Sequence, residues 1–196
     1  MKKILSIILA AAAFTAYSQP NKAAKMAPML VPGYYTTAKG DTVRGEVQEN
    51  PDDPEVAFYH GFMFRPAKGG KPMLVDAKKA RSYGFNGRHF AVIPYNNGDI
   101  YAEYVVRGRL VFMKYRMHDR AEGENIITNV YFIQDSKADD AEKELRELKQ
   151  ISTKFYKRDL KPYMKQQPMI WSDMDKFTFQ ENAVANSLRE YNKFYE

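Results

Sequence analysis

The stretch Ile100–Met117, IYAEYVVRGRLVFMKYRM, leaves this chain the fewest ways to fold. It alternates with period two on both sides of Arg107-Gly108, the pattern of two half-buried strands joined by a turn. Ile100, Ala102, Tyr104 and Val106 share one face of the first strand, and Val111, Met113, Tyr115 and Met117 share one face of the second. A two-residue loop at Arg107-Gly108 sets Tyr104 opposite Val111, Ala102 opposite Met113 and Ile100 opposite Tyr115, so the apolar faces coincide. A three-residue loop would pair Tyr104 with Phe112 and set each apolar face against a mixed one. Parity therefore asks for an even loop: two residues, or four around a type I turn with Gly108 in the awkward position. The opposite faces, Tyr101/Glu103/Val105 and Leu110/Phe112/Lys114/Arg116, are half polar, as in a strand pair with one side partly wet.

Turn signals surround this hairpin at Gly40-Asp41, the Pro/Asp run Asn50–Pro54, Gly69-Gly70, Asn86-Gly87, Asn96-Asn97-Gly98 and Glu122-Gly123. The β-branched and aromatic segments between them are spaced as in an all-β sandwich or barrel. Thr42–Gln48 alternates, and Asn86-Gly87 sets Tyr83 opposite Phe90 as an aromatic cross-strand pair. After Ile126–Gln134 the period becomes helical. Ser136-x-x-Asp139 is an N-cap signal, followed by Ala141, Leu145, Leu148, Ile151 and Phe155, which predicts a helix running to Pro162. Gln166–Lys176 reads as a connection carrying the only tryptophan, Trp171. Thr178-x-x-Glu181 is a capping box opening a last helix with Val184, Leu188, Tyr191 and Tyr195 on one face. The expected fold class is α+β: an antiparallel β sandwich or barrel-like sheet of about eight strands, followed by two C-terminal helices.

The first residues point to export. Met1-Lys2-Lys3 precedes an apolar run, Ile4–Ala13, too short for a stable span, which needs about 20 residues. Ala16 and Ser18 place signal-peptide cleavage before Gln19. The expected organisation is a signal peptide over 1–18, a Pro/Ala/Lys-rich linker over 19–32, and one β-rich domain over 33–196. No later segment is apolar enough to cross a membrane. With no cysteine in the chain, disulfides, thiol chemistry and Cys-ligated zinc are excluded, and stability must come from the core. Losing Lys2 and Lys3 leaves 28 basic against 24 acidic residues, a mild excess. An exported chain is not expected to meet nucleic acid, so anionic glycans, lipid phosphates or an acidic protein are the partners to consider.

Gly33-Tyr34-Tyr35-Thr36-Thr37-x-x-Gly40-Asp41-Thr42-Val43-Arg44-Gly45 resembles the opening of a family of small exported Gram-negative envelope proteins, in which a Gly-Tyr strand leads to Gly-Asp-Thr and a second Gly. Val106-x-Gly108-x-Leu110 with Lys114-Tyr115, and the near-terminal Tyr191-Asn192, are similar to later landmarks of that family. Relatives often carry Tyr where this chain has Met113. The resemblance implies export and a single domain; it supplies no catalytic residues.

Signals for chemistry are few. His60, His89 and His118 lie on different segments without metal-ligand spacing. There is no G-x-S-x-G elbow, and Lys68-Gly69-Gly70-Lys71-Pro72 lacks the first Gly and the Ser/Thr of a phosphate loop. Asp52-Asp53-x-Glu55 and Asp173-x-Asp175 bring carboxylates together on loops, yet neither continues into a calcium loop. No cofactor or metal is expected. The remaining candidate is Lys154, Lys157, Arg158 and Lys161, at helical spacing among Phe155, Tyr156, Tyr163 and Met164. These cations form either a solvated helix face or a docking surface for an anionic partner. The leading expectation is an exported, non-enzymatic cell-envelope interaction module binding an envelope protein or other anionic envelope component. The alternative is a β-barrel binding a small apolar or glycan ligand, motivated by 14 Tyr and 12 Phe on a β framework.

Overall fold

The computed structural model describes residues 27–67, 69–121 and 124–196. The signal peptide, its cleavage site, linker residues 19–26 and the Glu122-Gly123 turn lie outside the described residues. The fold is α+β, an open antiparallel sheet followed by helices. The sheet has ten strands: β1 Leu30–Thr37, β2 Thr42–Gln48, β3 Gly61–Pro66, β4 Met73–Asp76, β5 Ala80–Phe85, β6 Arg88–Tyr95, β7 Gly98–Val106, β8 Leu110–Ala121, β9 Glu124–Asp135 and β10 Lys149–Ile151. They run in the order β10-β9-β8-β7-β6-β5-β1-β2-β3-β4. The count exceeds the expected eight, and β1 begins inside the expected linker, with Leu30 paired to Gln48.

Two turns follow the local chemistry directly. Asn86 (φ 47°) and Gly87 (φ 74°) take left-handed conformations, and Tyr83 pairs with Phe90 as expected. Asn96 (φ 47°) and Asn97 (φ 62°) do the same between β6 and β7.

The sheet curls back on itself. Phe62 on β3 meets Tyr101 on β7 at 6.0 Å between ring centroids, although four strands separate them in the sheet order. Paired Gly33 and Gly45 permit the bend: a Cβ on Gly33 would lie 2.7 Å from Val47 Cγ2 and 2.8 Å from the Gly84 carbonyl, and one on Gly45 would meet the Arg65 carbonyl. The curl encloses an inner core of stacked rings. Tyr83 lies 3.9 Å from Phe62 and 4.5 Å from Phe90 between centroids, and none of its surface is exposed. A 3-10 helix, Ala57–Tyr59, plugs the curl: the Phe58 carbonyl accepts from Tyr83 Oη, and Tyr59 Oη donates to Glu103.

The body of the hairpin between β7 and β8 keeps the expected even parity, in the register of the four-residue loop, and departs from it only next to the turn. Tyr104 pairs with Met113 and Glu103 with Lys114, but Val106 pairs with Phe112, so Val105 is an extra residue. The turn is the odd one that parity disfavoured, Arg107–Arg109, and the bulge compensates for it. The reason is burial on both sides. Tyr104, Met113 and Tyr115 face the inner core, whereas Val106, Leu110 and Phe112 face a second, outer core. The face expected to be partly wet is covered by the C-terminal segments at that end.

The long helix expected after the Ser136-x-x-Asp139 signal, running to Pro162, does not form. Asp139 caps a 3-10 helix, Asp140–Arg146, accepting from the Ala141 and Glu142 amides at 3.0 Å. The chain then extends as β10, pairing Ile151 with Tyr131 on the edge of β9. Unpaired backbone on that edge outweighs a weak helical preference. Helices α1 Tyr156–Leu160, α2 Pro168–Met174 and α3 Glu181–Lys193 follow, with a 3-10 segment Lys161–Met164 around Pro162. Trp171 therefore lies on α2, where a connection was expected. Leu145, Ile151, Leu160, Met174, Val184, Leu188 and Tyr191 close the outer core over β7–β9.

One contact locks this layer. Asn192, 2% exposed on α3, accepts from the Leu110 amide at 2.8 Å and donates to the Leu110 carbonyl at 2.9 Å. Its amide lies where a Gly108 Cβ would stand. Beside it Arg109 pairs with buried Asp135 at 2.9 Å and covers the Tyr195 ring at 4.3 Å. Val106-x-Gly108-x-Leu110 and Tyr191-Asn192, far apart in sequence, are thus two halves of one structural clamp.

Candidate functional site

The basic segment Lys154–Lys161 is arranged differently from a single helical face. Lys154 and Phe155 precede α1 in a turn after β10, Lys157 and Arg158 lie on α1, and Lys161 caps its C-terminal end. Ser152 Oγ and the Ser152 carbonyl accept from the Phe155 amide at 3.4 and 3.2 Å, which turns the chain out of the strand. Phe155 is therefore left 47% exposed. Its ring is flanked by Lys154 Nζ at 5.3 Å and Arg158 Cζ at 5.0 Å from the centroid, a cation on each side of the sequence position. Tyr156, the next residue, turns inward and donates to the Phe177 carbonyl.

Phe177–Phe179, the connection between α2 and α3, supplies the facing wall. Lys154, Phe155, Lys157 and Arg158 with Phe177 and Phe179 enclose a surface groove of about 470 Å³. Three of the four expected cations meet there; Lys161 does not line it. The face is also less uniformly basic than its spacing implies. Lys157 pairs with Asp175 at 3.4 Å and donates to that residue's carbonyl, and Arg158 pairs with Asp159 at 2.9 Å. Lys154 and Lys161 have no ion pair among the described residues. The arrangement is a cationic rim over an aromatic floor, with one lysine and the outer part of one guanidinium free for an incoming anion.

No family model, no curated protein and no solved structure matches the chain. The groove must be read from its own chemistry.

Other titratable groups are engaged in holding the fold. Glu103 accepts from Arg88 at 2.7 and 2.8 Å and from Tyr59 Oη at 2.8 Å. Burial alone would raise its pKa, but the Arg88 and Tyr59 hydrogen bonds outweigh that and hold the carboxyl below its usual range. Burial pushes the Tyr59 hydroxyl up, and Glu103 adds to the shift. Arg88 also covers the Phe58 and Phe90 rings at 5.1 and 4.9 Å. The three side chains bind one another, and Arg88 also covers core rings, so the cluster is a buttress of the inner core.

The histidines are separated as expected in one case and not in the others. His89 Nδ1 lies 2.9 Å from Tyr34 Oη, across Gly84, whose Cβ would meet both rings. His118 Nε2 lies 2.5 Å from Asp53 Oδ2, and His60, edge-on to Tyr115, has its pKa lowered by burial and by neighbouring His118. The loop over 50–56 thus docks on β8, with Glu55 3.5 Å from Arg116. Asp173 pairs with Lys176 at 2.7 Å. Both acidic clusters are drawn into ion pairs, and no group of three His, Asp or Glu among the described residues is placed to hold a metal. Among the described residues no helix is long and apolar enough to cross a membrane.

Proposed function

We propose that the protein is an exported, non-enzymatic interaction module of the cell envelope that captures an anionic envelope component in the groove between Lys154–Arg158 and Phe177–Phe179. The observation that carries this reading is Phe155, an exposed ring with Arg158 Cζ at 5.0 Å and Lys154 Nζ at 5.3 Å from its centroid, in the wall of a groove lined by Phe177 and Phe179. Exposed aromatic area next to unneutralised positive charge favours a partner that presents an acidic group beside an apolar or aromatic one. An acidic protein surface fits this better than a bare anion, because the floor offers burial as well as charge.

The second reading, a β-barrel holding a small apolar or glycan ligand, was motivated by the aromatic content. Those aromatics largely fill the curl: Tyr59, Tyr83, Phe90 and Tyr101 are at most 1% exposed.

The test is co-isolation from native membranes at low and high salt, using wild type and the double variant Lys154→Glu/Arg158→Glu. Lys157 is left alone because it holds Asp175. Rim charges act over a screening length of about 10 Å at 0.1 M salt, so wild-type capture should fall as salt rises. The double variant should lose the same partner at low salt while its circular dichroism is unchanged. Equal recovery by both proteins at both salts would leave the cations as a solvated surface.

A further inference from the structure

The C-terminal layer covers only part of the sheet. Its core takes no residue from β1, β2, β5 or β6, so it leaves their outer face uncovered. The register lays one row of side chains across that face. Arg44 on β2 pairs with Tyr34 on β1, Tyr34 with Gly84 on β5, and Gly84 with His89 on β6. Their sequence neighbours Val43, Tyr35, Tyr83 and Phe90 pack into the inner core, which turns this row outward. Gly84 lets the row close up, since a Cβ there would lie 2.9 Å from both Tyr34 Cε1 and His89 Nδ1. Across the space it leaves, Tyr34 Oη meets His89 Nδ1 at 2.9 Å. Tyr34, Arg44 and His89, with Pro32 and Asn86, line a groove of about 400 Å³.

The other polar groups of this face are unengaged. The Arg44 guanidinium and His89 Nε2 have no hydrogen-bond or ion-pair partner among the described residues, and the same holds for the hydroxyls of Thr42, Thr36 and Ser82 in the adjoining row. The acids beside them are occupied: Glu46 pairs with Arg65, and Glu49 accepts from Asn86.

We infer that this face binds an acidic saccharide, with Arg44 on its carboxylate, the Tyr34 ring against a sugar's C–H face, and His89 Nε2 and the hydroxyl row on its hydroxyls. A guanidinium engages a carboxylate through two parallel hydrogen bonds. A pyranose offers an apolar C–H face and a rim of hydroxyls, which suits a ring bordered by side chains that both donate and accept. Size selects further. Arg44 and His89 stand three strand spacings apart, about 14 Å, a span that a short oligosaccharide covers and a lone carboxylate or phosphate does not. The backbone argues against a protein strand as occupant, because β2, β1, β5 and β6 are each paired on both sides. The face offers side chains only.

This surface is separate from the groove at α1, which packs against β10 at one end of the strand order. The test titrates the protein with trimers of galacturonate, glucuronate and mannuronate and with the neutral trimers of the matching sugars. Imidazole signals report the site by NMR, since the chain has three histidines, and His89→Gln assigns the one concerned. At least one acidic trimer is expected to shift the His89 signals, leave those of His60 and His118 unmoved, and bind at least tenfold tighter than its neutral counterpart. Arg44→Gln should remove that preference, Tyr34→Ala should weaken binding at least fivefold, and Thr36→Val/Ser82→Ala at least threefold, all with unchanged circular dichroism. No acidic trimer binding above its neutral counterpart, or shifts confined to His60 or His118, would overturn the inference. So would inorganic phosphate binding as tightly as the best trimer, which would mark a bare anion site. Lys154→Glu/Arg158→Glu should bind the trimer normally, so failure at one surface is not mistaken for failure at the other.

Discussion

The inner and outer cores share β8 and β9, residue by residue: Met113 and Phe132 face the curl, while their neighbours Phe112 and Ile133 face the C-terminal helices. Their closures differ. The inner core is closed by the sheet's own bend and by rings in offset and edge-on contact, with the Arg88–Glu103–Tyr59 cluster as its polar support. The outer core is closed by short helices that could not stand alone; α1 has five residues and α2 seven. Apolar burial holds them, and α3 is fastened to the β7–β8 turn by Asn192, while Arg109 reaches Gln166 and the Tyr195 ring. A core closed by many interlocking aromatic contacts loses stability when its volume is disturbed. A core closed by clamps loses it when a clamp is opened.

The largest expected effect is therefore in the inner core. Tyr83→Ala removes a fully buried ring from a stack and orphans the Phe58 carbonyl, and it should cost about 4 kcal/mol. Chemical denaturation monitored by circular dichroism measures this. A loss under about 1 kcal/mol would mean that the curl is not a packed core.

The outer core should break differently. Gly108 has φ +149°, and a Cβ there would collide with the Asn192 side chain, so Gly108→Val should cost about 3 kcal/mol. Asn192→Ala alone should cost about 2 kcal/mol through its lost hydrogen bonds. Because part of the glycine penalty is the collision itself, the double variant should be more stable than the sum of the two losses, by about 1 kcal/mol. Strict additivity would mean that only backbone strain acts at Gly108 and that the clamp is not a contact. Near-ultraviolet circular dichroism adds a second reading: opening the clamp should change the environment of Trp171 and Tyr195, which pack at the outer core, before that of Tyr83.

This contrast explains what could be read from the chain beforehand. The inner core follows period two and turn chemistry, both local, so the Tyr83–Phe90 pair and the antiparallel sheet were legible. The Val105 bulge was not, because parity assumes one buried face per strand and these strands have two. Ala141, Leu145, Leu148, Ile151 and Phe155 satisfy a helical spacing, but β9's open edge was a better partner for Lys149–Ile151, and no local signal reports that edge. The groove was half legible. Its cations follow three- and four-residue steps, whereas Phe177, Phe179 and Asp175 come from a segment whose fold depends on Tyr156 capturing the Phe177 carbonyl. β4 left almost no trace, being four residues behind Pro72.

The smallest effect sharpens the comparison at the point where the outer core meets the sheet. Thr178-x-x-Glu181 reads as a capping box, in which Thr178 would cap α3 and Glu181 would reach back to the chain. Instead Gln180 is the N-cap residue, with no side-chain cap, and Glu181 turns to the sheet. It accepts from Lys114 Nζ at 2.8 Å and from Tyr131 Oη at 2.8 Å, tying α3 to β8 and β9. A capping threonine is worth about 1 kcal/mol, so a true box would make Thr178→Ala and Glu181→Ala comparably harmful. The observed geometry separates them. Thr178→Ala should be within about 0.3 kcal/mol of wild type, as for an exposed residue without a partner in the cap. Glu181→Ala should cost about 1.5 kcal/mol, because it strands a mostly covered lysine and a hydroxyl that bonded a charge. The Tyr131 hydroxyl, raised by burial and by its bond to Glu181, should then titrate at lower pH in the variant, which ultraviolet difference spectroscopy follows. Equal losses for the two variants, with the tyrosine titration unmoved, would restore the capping box and detach α3 from the sheet.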